Sequence, residues 1–478
     1  MEYYLAVDIG ASSGRHILGS YQNGKLVLEE IHRFENNIRV IDEHLSWDVD
    51  YLFHEIIAGM KKCKELDKIP LSMAIDTWAV DYIFLDRHGK RIGNAISYRD
   101  HRTDNIDQEV YKIVSAEELY ERTGIQKQLF NTLYQLMAVK KYTPEILTQV
   151  SSMLMIPDYF SYLLTGRQVC EYTNASTTQL VSSNTRNWDR ELIEQLGYPQ
   201  TMFKEIIEPG TIIGNLTDIV QESVGFDTKV IATASHDTAS AVVSVPALRE
   251  DFIYISSGTW SLMGMERNIA DCSLESMQAN FTNEGGYNHR FRYLKNIMGL
   301  WMIQSLRREL EETLSFNELC QMAKANQNFP SRVDVNDCCF LSPDSMIKAI
   351  QDYCQNSNQP IPKTAGELAN VIYQSLAISY AATIEEIEML TRKKYEAIYI
   401  VGGGGNAEYL NELTAKATGK VIYTGPVEAT ATGNIVVQML NNQVFASLVE
   451  ARKCIKNSFE IKKYKEEKYC LLYTSPSP

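Results

Sequence analysis

Residues 8–15 read Asp-Ile-Gly-Ala-Ser-Ser-Gly-Arg, a carboxylate followed by two serines between glycines and then an arginine. These residue types suit a triphosphate. Asp8, at the end of an apolar, β-rich run, can hold Mg²⁺ directly or through water. Gly10 and Gly14 would let backbone amides approach phosphate oxygens. Ser12, Ser13 and Arg15 add donors, and Arg15 can neutralise developing charge. An ordinary glycine-rich hairpin turn would carry the same residues. Two further small-residue turns follow strand-like runs. In Ser257-Gly258-Thr259 the Thr259 hydroxyl can donate to a phosphate. Gly402-Gly403-Gly404-Gly405 offers a surface free of side chains, on which an adenosine could lie. Three such turns are more specific than any one of them.

A possible acceptor side is also present. Asp237 sits in Ser-His-Asp-Thr (235–238) beside His236 and Thr238. Phosphoryl transfer to an alcohol benefits from a carboxylate that takes the hydroxyl proton. Asp237 is equally placed to cap a helix over Thr-Ala-Ser-Ala-Val-Val, and one residue can do both. In DTWAVDY (76–82), Trp78 could stack on a sugar face or belong to the core. Generic motifs discriminate poorly here. Gly10–Gly14 fits GxSxG, but a nucleophile elbow needs a helix directly after the serine, and a strand pattern follows. Gly402–Ala407 fits GxGxxA, but a dinucleotide fold would open the chain and carry an acidic residue about 20 positions on, where only Glu428 is loosely available. GxxxxGK[ST] does not occur.

Several elements must position these residues. Asn23-Gly24 between two apolar runs predicts a hairpin right after the first glycine loop. Val49, Leu52, Phe53, Ile56, Ile57 and Met60 recur at helical spacing behind Asp48, which predicts a helix over 48–66. Strand, bend and strand are expected over 72–86, mostly helix over 115–165, and a strand leading into the 235–238 loop over 229–237. Near Asp251 the opening plan repeats as strand, small-residue loop, strand. The halves therefore read as diverged copies with a boundary near 244–251. Helices are expected over 296–312 and 365–391. Strand, glycine turn and helix are expected over 396–419, then one more strand and helix. This layout matches the actin-like ATPase plan, two related domains with ATP clamped between them. The stretch from Lys462 turns charged and then low in complexity, and is expected to fray.

Composition narrows the function classes. A chain of 478 residues suggests two to three domains, and 45% hydrophobic residues exclude a largely disordered chain. The net charge of -14 disfavours nucleic acid and other polyanions, but not one anionic ligand held by local amides. The opening MEYYLAVDIG lacks the pattern of a secretory signal, and no run approaches the roughly 20 apolar residues of a membrane helix. The 9 cysteines form no CxxC pair, which favours reduced thiols and a cytoplasmic setting without membrane partners.

Along nearly its whole length, the chain resembles the FGGY-family carbohydrate kinases. The matching segments are VDIGASSGR, IDTWAVDY, SYRDHRT, IPDYFSYLLTGR, EYTNASTTQL, SHDTASAV, SSGTWSLMG, NIMGLWMIQ and VGGGGN. The resemblance implies an α/β fold of two actin-like (ribonuclease H-like) ATPase domains with ATP and sugar in the interdomain cleft. The first domain would span residues 1–246, the second 247–445, and a partly frayed extension 446–478. ATP contacts would fall on Ala11, Ser12, Ser13, Gly14, Arg15, Thr259, Gln304 and Gly402. Sugar contacts would fall on Ala79, His236, Asp237, Thr238 and Asn296, with Asp237 as catalytic base. The members it most resembles imply transfer from ATP, with Mg²⁺, to the 1-hydroxyl of the ketose L-rhamnulose, by a monomer or homodimer. One departure bears on substrate choice: the family usually has glycine where this chain has Ala79. L-Fuculose and xylulose therefore stay open as substrates, as does a non-catalytic actin-like ATP-binding protein.

Overall fold

The computed structural model describes residues 1–249, 251–341 and 343–465. Each half is organised around one strand that is apolar on both faces. In the first half this is Tyr3–Ile9, buried from Tyr4 onward. It pairs antiparallel with Ser13–Gln22, which pairs antiparallel with Lys25–Glu35. On its other side it pairs parallel with Pro70–Thr77, then come Lys229–Ile231 and Ile212–Asn215. The second half repeats this plan. Ile253–Ser257 pairs antiparallel with Trp260–Arg267 and parallel with Ala397–Val401. Its seven-stranded sheet is completed by Phe291–Met298 and Thr282–Gly285 on one side, and by Val421–Thr424 and Lys462–Tyr464 on the other. In both sheets the glycine loops lie where the central strands end, so duplication brings them to face one another.

The helices follow their sequence signals. Val49–Glu65 starts where the Asp48 carboxylate accepts from Tyr51 N at 3.0 Å. Ala365–Thr391 opens with a capping box between Thr364 and Glu367. The stretch 115–165 is mostly helix, as expected, with the strand Ser152–Met155 among its helices. Two expectations need correction. The helix expected from 296 begins only at Trp301, because Asn296 to Met298 finish a strand paired with Leu262 to Trp260. The strand expected over 229–237 ends at Ile231, and Asp237–Val243 is a helix. Around residue 296 an apolar run was compatible with either period, and sheet pairing decided.

One helix does not stay within its half. Ala429–Asn441, from the second half, lies against the first sheet and the helix Asp237–Val243. Its Ile435, Val436 and Met439 share a cluster with Tyr4, Ala6 and Ile17. A polar stripe accompanies the apolar one. Asn434 Nδ2 donates to Ala74 O at 3.2 Å and Asp76 Oδ2 at 2.5 Å. Gln438 Nε2 donates to Leu5 O at 3.0 Å and its Oε1 accepts from Ser72 Oγ at 2.8 Å. The next helix, Leu448–Ser458, carries buried Arg452, which pairs with Glu266 at 2.9 Å and donates to Val242 O at 2.9 Å. Thus the extension after residue 445 is packed on both halves. The fraying expected from Lys462 does not hold for Lys462–Tyr464, which form the edge strand of the second sheet. The remainder of that stretch, including LLYTSPSP, lies outside the described residues.

Candidate active site

A cleft of about 490 Å³ opens between the halves. Gly10, Ala11, Ser12 and Arg15 line it from the first glycine loop, Thr259 from the second and Gly402 from the third. Gln304 reaches it from the helix Trp301–Glu309. Ala79, His236, Asp237, Thr238 and Asn296 line the same cleft. The structure thus brings most of the sequence-derived candidates into one space. Ser13 and Gly14 are not among the lining residues; they open the strand Ser13–Gln22. Gly14 has a different reason to be glycine. A Cβ there would come within 2.1 Å of the Phe34 ring. The Gly10 amide is also committed, donating to Ser13 O at 2.9 Å. At Gly402 the backbone itself demands glycine, with φ at +85°.

Three carboxylates gather at the floor. Asp8, only 7% exposed, accepts through Oδ2 from Arg15 Nε at 3.1 Å and Nη2 at 3.0 Å. Arg15 reaches across to pair with Glu428 as well, which joins the two halves at the phosphate loop. Asp76, opposite Asp8 in the parallel register, is fully buried. Burial, and then the neighbouring charge of Asp8, push its carboxyl well above the usual range. Its Oδ1 is buried with no hydrogen-bond partner. An all-oxygen donor set with one orphaned buried atom fits Mg²⁺ or a water bound to it. Among the described residues, no group of three or more His, Cys, Asp or Glu could hold a metal alone.

Asp237 is the first residue of the helix Asp237–Val243, one position inside the cap at His236, and it lines the cleft. Its Oδ1 accepts from Thr238 N at 2.6 Å and Thr238 Oγ1 at 3.2 Å. Its carboxyl is raised, chiefly by burial in the cleft wall, although His236 opposes the shift. The loop before it is held by Glu171, which accepts from Ser235 N at 3.0 Å, Ser235 Oγ at 2.6 Å and Thr173 N at 2.8 Å. Asn296 Nδ2 donates across the cleft to Gln126 Oε1 at 3.1 Å. Trp78 belongs to the core and also lines the cleft. Its ring packs against Trp47, tilted at 38° with centroids 4.2 Å apart. Asp81 anchors that wall, accepting from Trp47 Nε1 at 2.6 Å, Trp78 Nε1 at 3.0 Å and Tyr98 N at 3.1 Å. Burial raises its carboxyl to about 6, even against these donors.

Sequence reasoning missed Asp76, Asp81, Gln126, Glu171, Glu284, Arg292 and Glu428 as parts of this site. Asp76 and Asp81 flank the tryptophan motif and were readable as buried carboxylates near a loop. The others become neighbours only through the fold.

Two duplicated α/β halves, with glycine turns facing across a cleft and a carboxylate on its floor, define a small-molecule kinase of actin-like architecture. Comparison with known proteins makes the class specific. Residues 3–244 match the N-terminal domain, and residues 253–441 the C-terminal domain, of the FGGY family of carbohydrate kinases. The chain belongs to that family. It is 51% identical over 97% of its length to a rhamnulokinase of Halalkalibacterium halodurans, of which 99% is covered. It is 49% identical over 96% of its length to a rhamnulokinase of Oceanobacillus iheyensis, of which 97% is covered. Its fold superposes on a ligand-bound xylulose kinase from Lactobacillus acidophilus with a TM-score of 0.77, at 17% identity, covering 97% of this chain and 94% of that one. Among the described residues, no helix is long and apolar enough to cross a membrane.

Proposed function

We propose that this chain transfers the γ-phosphoryl group of ATP to the 1-hydroxyl of L-rhamnulose, giving L-rhamnulose 1-phosphate and ADP in the cytoplasm. The observation that carries the kinase reading is the placement of Asp237 in the same cleft as the three glycine turns. The choice of ketose rests on the near full-length similarity to rhamnulokinases. In this reading Ala11, Ser12, Arg15, Thr259, Gln304 and Gly402 belong to the nucleotide side, with Ser13 and Gly14 shaping the first loop behind them. Ala79, His236, Thr238 and Asn296 bind and orient the sugar, and Asp237 accepts the proton of its hydroxyl. Asp8, backed by Asp76, would hold Mg²⁺. The ion supplies charge neutralisation on the phosphate oxygens when bound. Arg15 lines the same cleft with its guanidinium paired to Asp8 and Glu428, and would exchange one of these carboxylates for a phosphate oxygen to act.

The test is ADP release over a panel of ketoses that includes L-rhamnulose, L-fuculose and xylulose. L-Rhamnulose should give the highest kcat/KM. Activity on none of them would sink the kinase reading, and preference for another ketose would sink only the substrate. The side chain of Ala79 gives a second expectation. In Ala79→Gly the KM for the ketose should shift while the KM for ATP stays unchanged, because Ala79 lies with Trp78 and Val80 on the wall beside His236. Altered ATP affinity would put this loop on the nucleotide side instead.

A further inference from the structure

His236 is read above as a sugar contact, and the structure shows what fixes the kind of contact it makes. Its Nδ1 lies 3.0 Å from Arg292 Nη2 and 3.3 Å from Glu284 Oε2. Its Nε2 faces the other way, 3.5 Å from Asp237 Oδ1. Arg292 is fully buried, and it is fixed by two more bonds. Nε donates to Gly285 O at 2.8 Å and Nη2 to Glu284 Oε2 at 2.9 Å. Arg292 and Glu284 are register partners on adjacent strands of the second half. His236 belongs to the first half, where its backbone N donates to Thr173 Oγ1 at 3.2 Å. The imidazole is therefore gripped from both sides of the cleft.

A guanidinium has no lone pair and does not lose its proton in proteins. A ring nitrogen 3.0 Å from it is favourable only as an acceptor. We infer that Arg292 is a positioning residue that holds His236 in the Nε2–H tautomer. The proton then sits on the nitrogen that faces Asp237 and the cleft, and His236 presents a donor to an oxygen of the sugar. Glu284 keeps Arg292 in place as an anion, since the Arg292 charge holds its carboxyl low against the effect of burial. The opposite tautomer could give an Nδ1–H to Glu284 at 3.3 Å only by setting it against the closer Arg292 N–H at 3.0 Å, and its bare Nε2 could not donate to the substrate. This division leaves proton acceptance to Asp237. It also means that a residue of the second half sets the hydrogen-bonding character of a sugar contact in the first.

This inference rests on the proposed function only for the identity of the ligand. The first test is the long-range ¹H–¹⁵N spectrum of the full chain labelled at its 8 histidines, with His236 assigned by loss of its signals in His236→Gln. A bare Nδ1 and a protonated Nε2 are expected. A protonated Nδ1, alone or with Nε2, would overturn the assignment. The second test is Arg292→Met, in which His236 should lose its fixed tautomer. The ketose KM should rise about tenfold while ATP KM stays within about twofold, the pattern of one lost hydrogen bond to a bound ligand. An unchanged ketose KM, or an equal rise for both substrates, would overturn it. If that variant does not fold, the wild-type spectrum decides. If no ketose is phosphorylated, the proposed function fails while the spectrum still reports on the tautomer.

Discussion

Replacing Asp237 by asparagine should lower turnover by about 10²–10⁴-fold, the usual contribution of a positioned general base. The substitution is chosen to separate the two roles that the residue could have. An asparagine side chain keeps an oxygen to accept from Thr238 N and Thr238 Oγ1, the bonds that Asp237 Oδ1 makes now. Asp237 is the first helical residue and not the cap, so the start of the helix does not depend on its charge. The helix Asp237–Val243 should therefore survive, and thermal stability and ATP binding should be close to those of the parent. What asparagine cannot do is accept the hydroxyl proton. Steady-state turnover with the preferred ketose, measured beside a melting curve, reads both. Near-normal turnover would remove Asp237 from the chemistry.

The second large effect is expected at Gly433, on the bridging helix Ala429–Asn441. A Cβ at this position would meet the Ser240 carbonyl oxygen at 1.8 Å and its carbon at 2.6 Å. Both are backbone atoms of the helix that begins with Asp237, so no side chain can swing away. Alanine is a better helix former than glycine by about 1 kcal/mol. In an open site, Gly433→Ala would raise the melting temperature. Here the helices must separate, and overpacking of this kind costs about 1–3 kcal/mol. The melting temperature should fall, and turnover should fall with it because Asp237 moves with its helix. A raised melting temperature would show that the two helices can part without cost.

Local patterns in the sequence carry the elements that stand on their own signals. The glycine turns, the capping boxes and the repeated strand–loop–strand openings are all read from neighbouring residues. They suffice for the duplicated architecture and for the residues that line the cleft. The supporting residues are another matter. Asp76 and Asn434 are bonded across 358 positions of sequence, and His236 and Arg292 across 56. No spacing rule reports such pairs, because each partner looks like an ordinary polar residue in an apolar stretch. Gly14 shows the opposite error. Its type was read as serving a phosphate, whereas it accommodates the Phe34 ring on the neighbouring strand. A glycine signals that a side chain is not tolerated, and leaves open which neighbour forbids it.

The bridging helix also sets an order of events during synthesis. The first sheet has apolar residues Tyr4, Ala6 and Ile17 whose partners Ile435, Val436 and Met439 lie near the far end of the chain. Chains emerge from the ribosome N-terminus first, and domains generally fold as they emerge. The first half of this protein must therefore wait, with that face uncovered, while the whole second half is translated. A nascent chain stalled before residue 429 should present a client surface for a holding chaperone, and one stalled well past residue 455 should not.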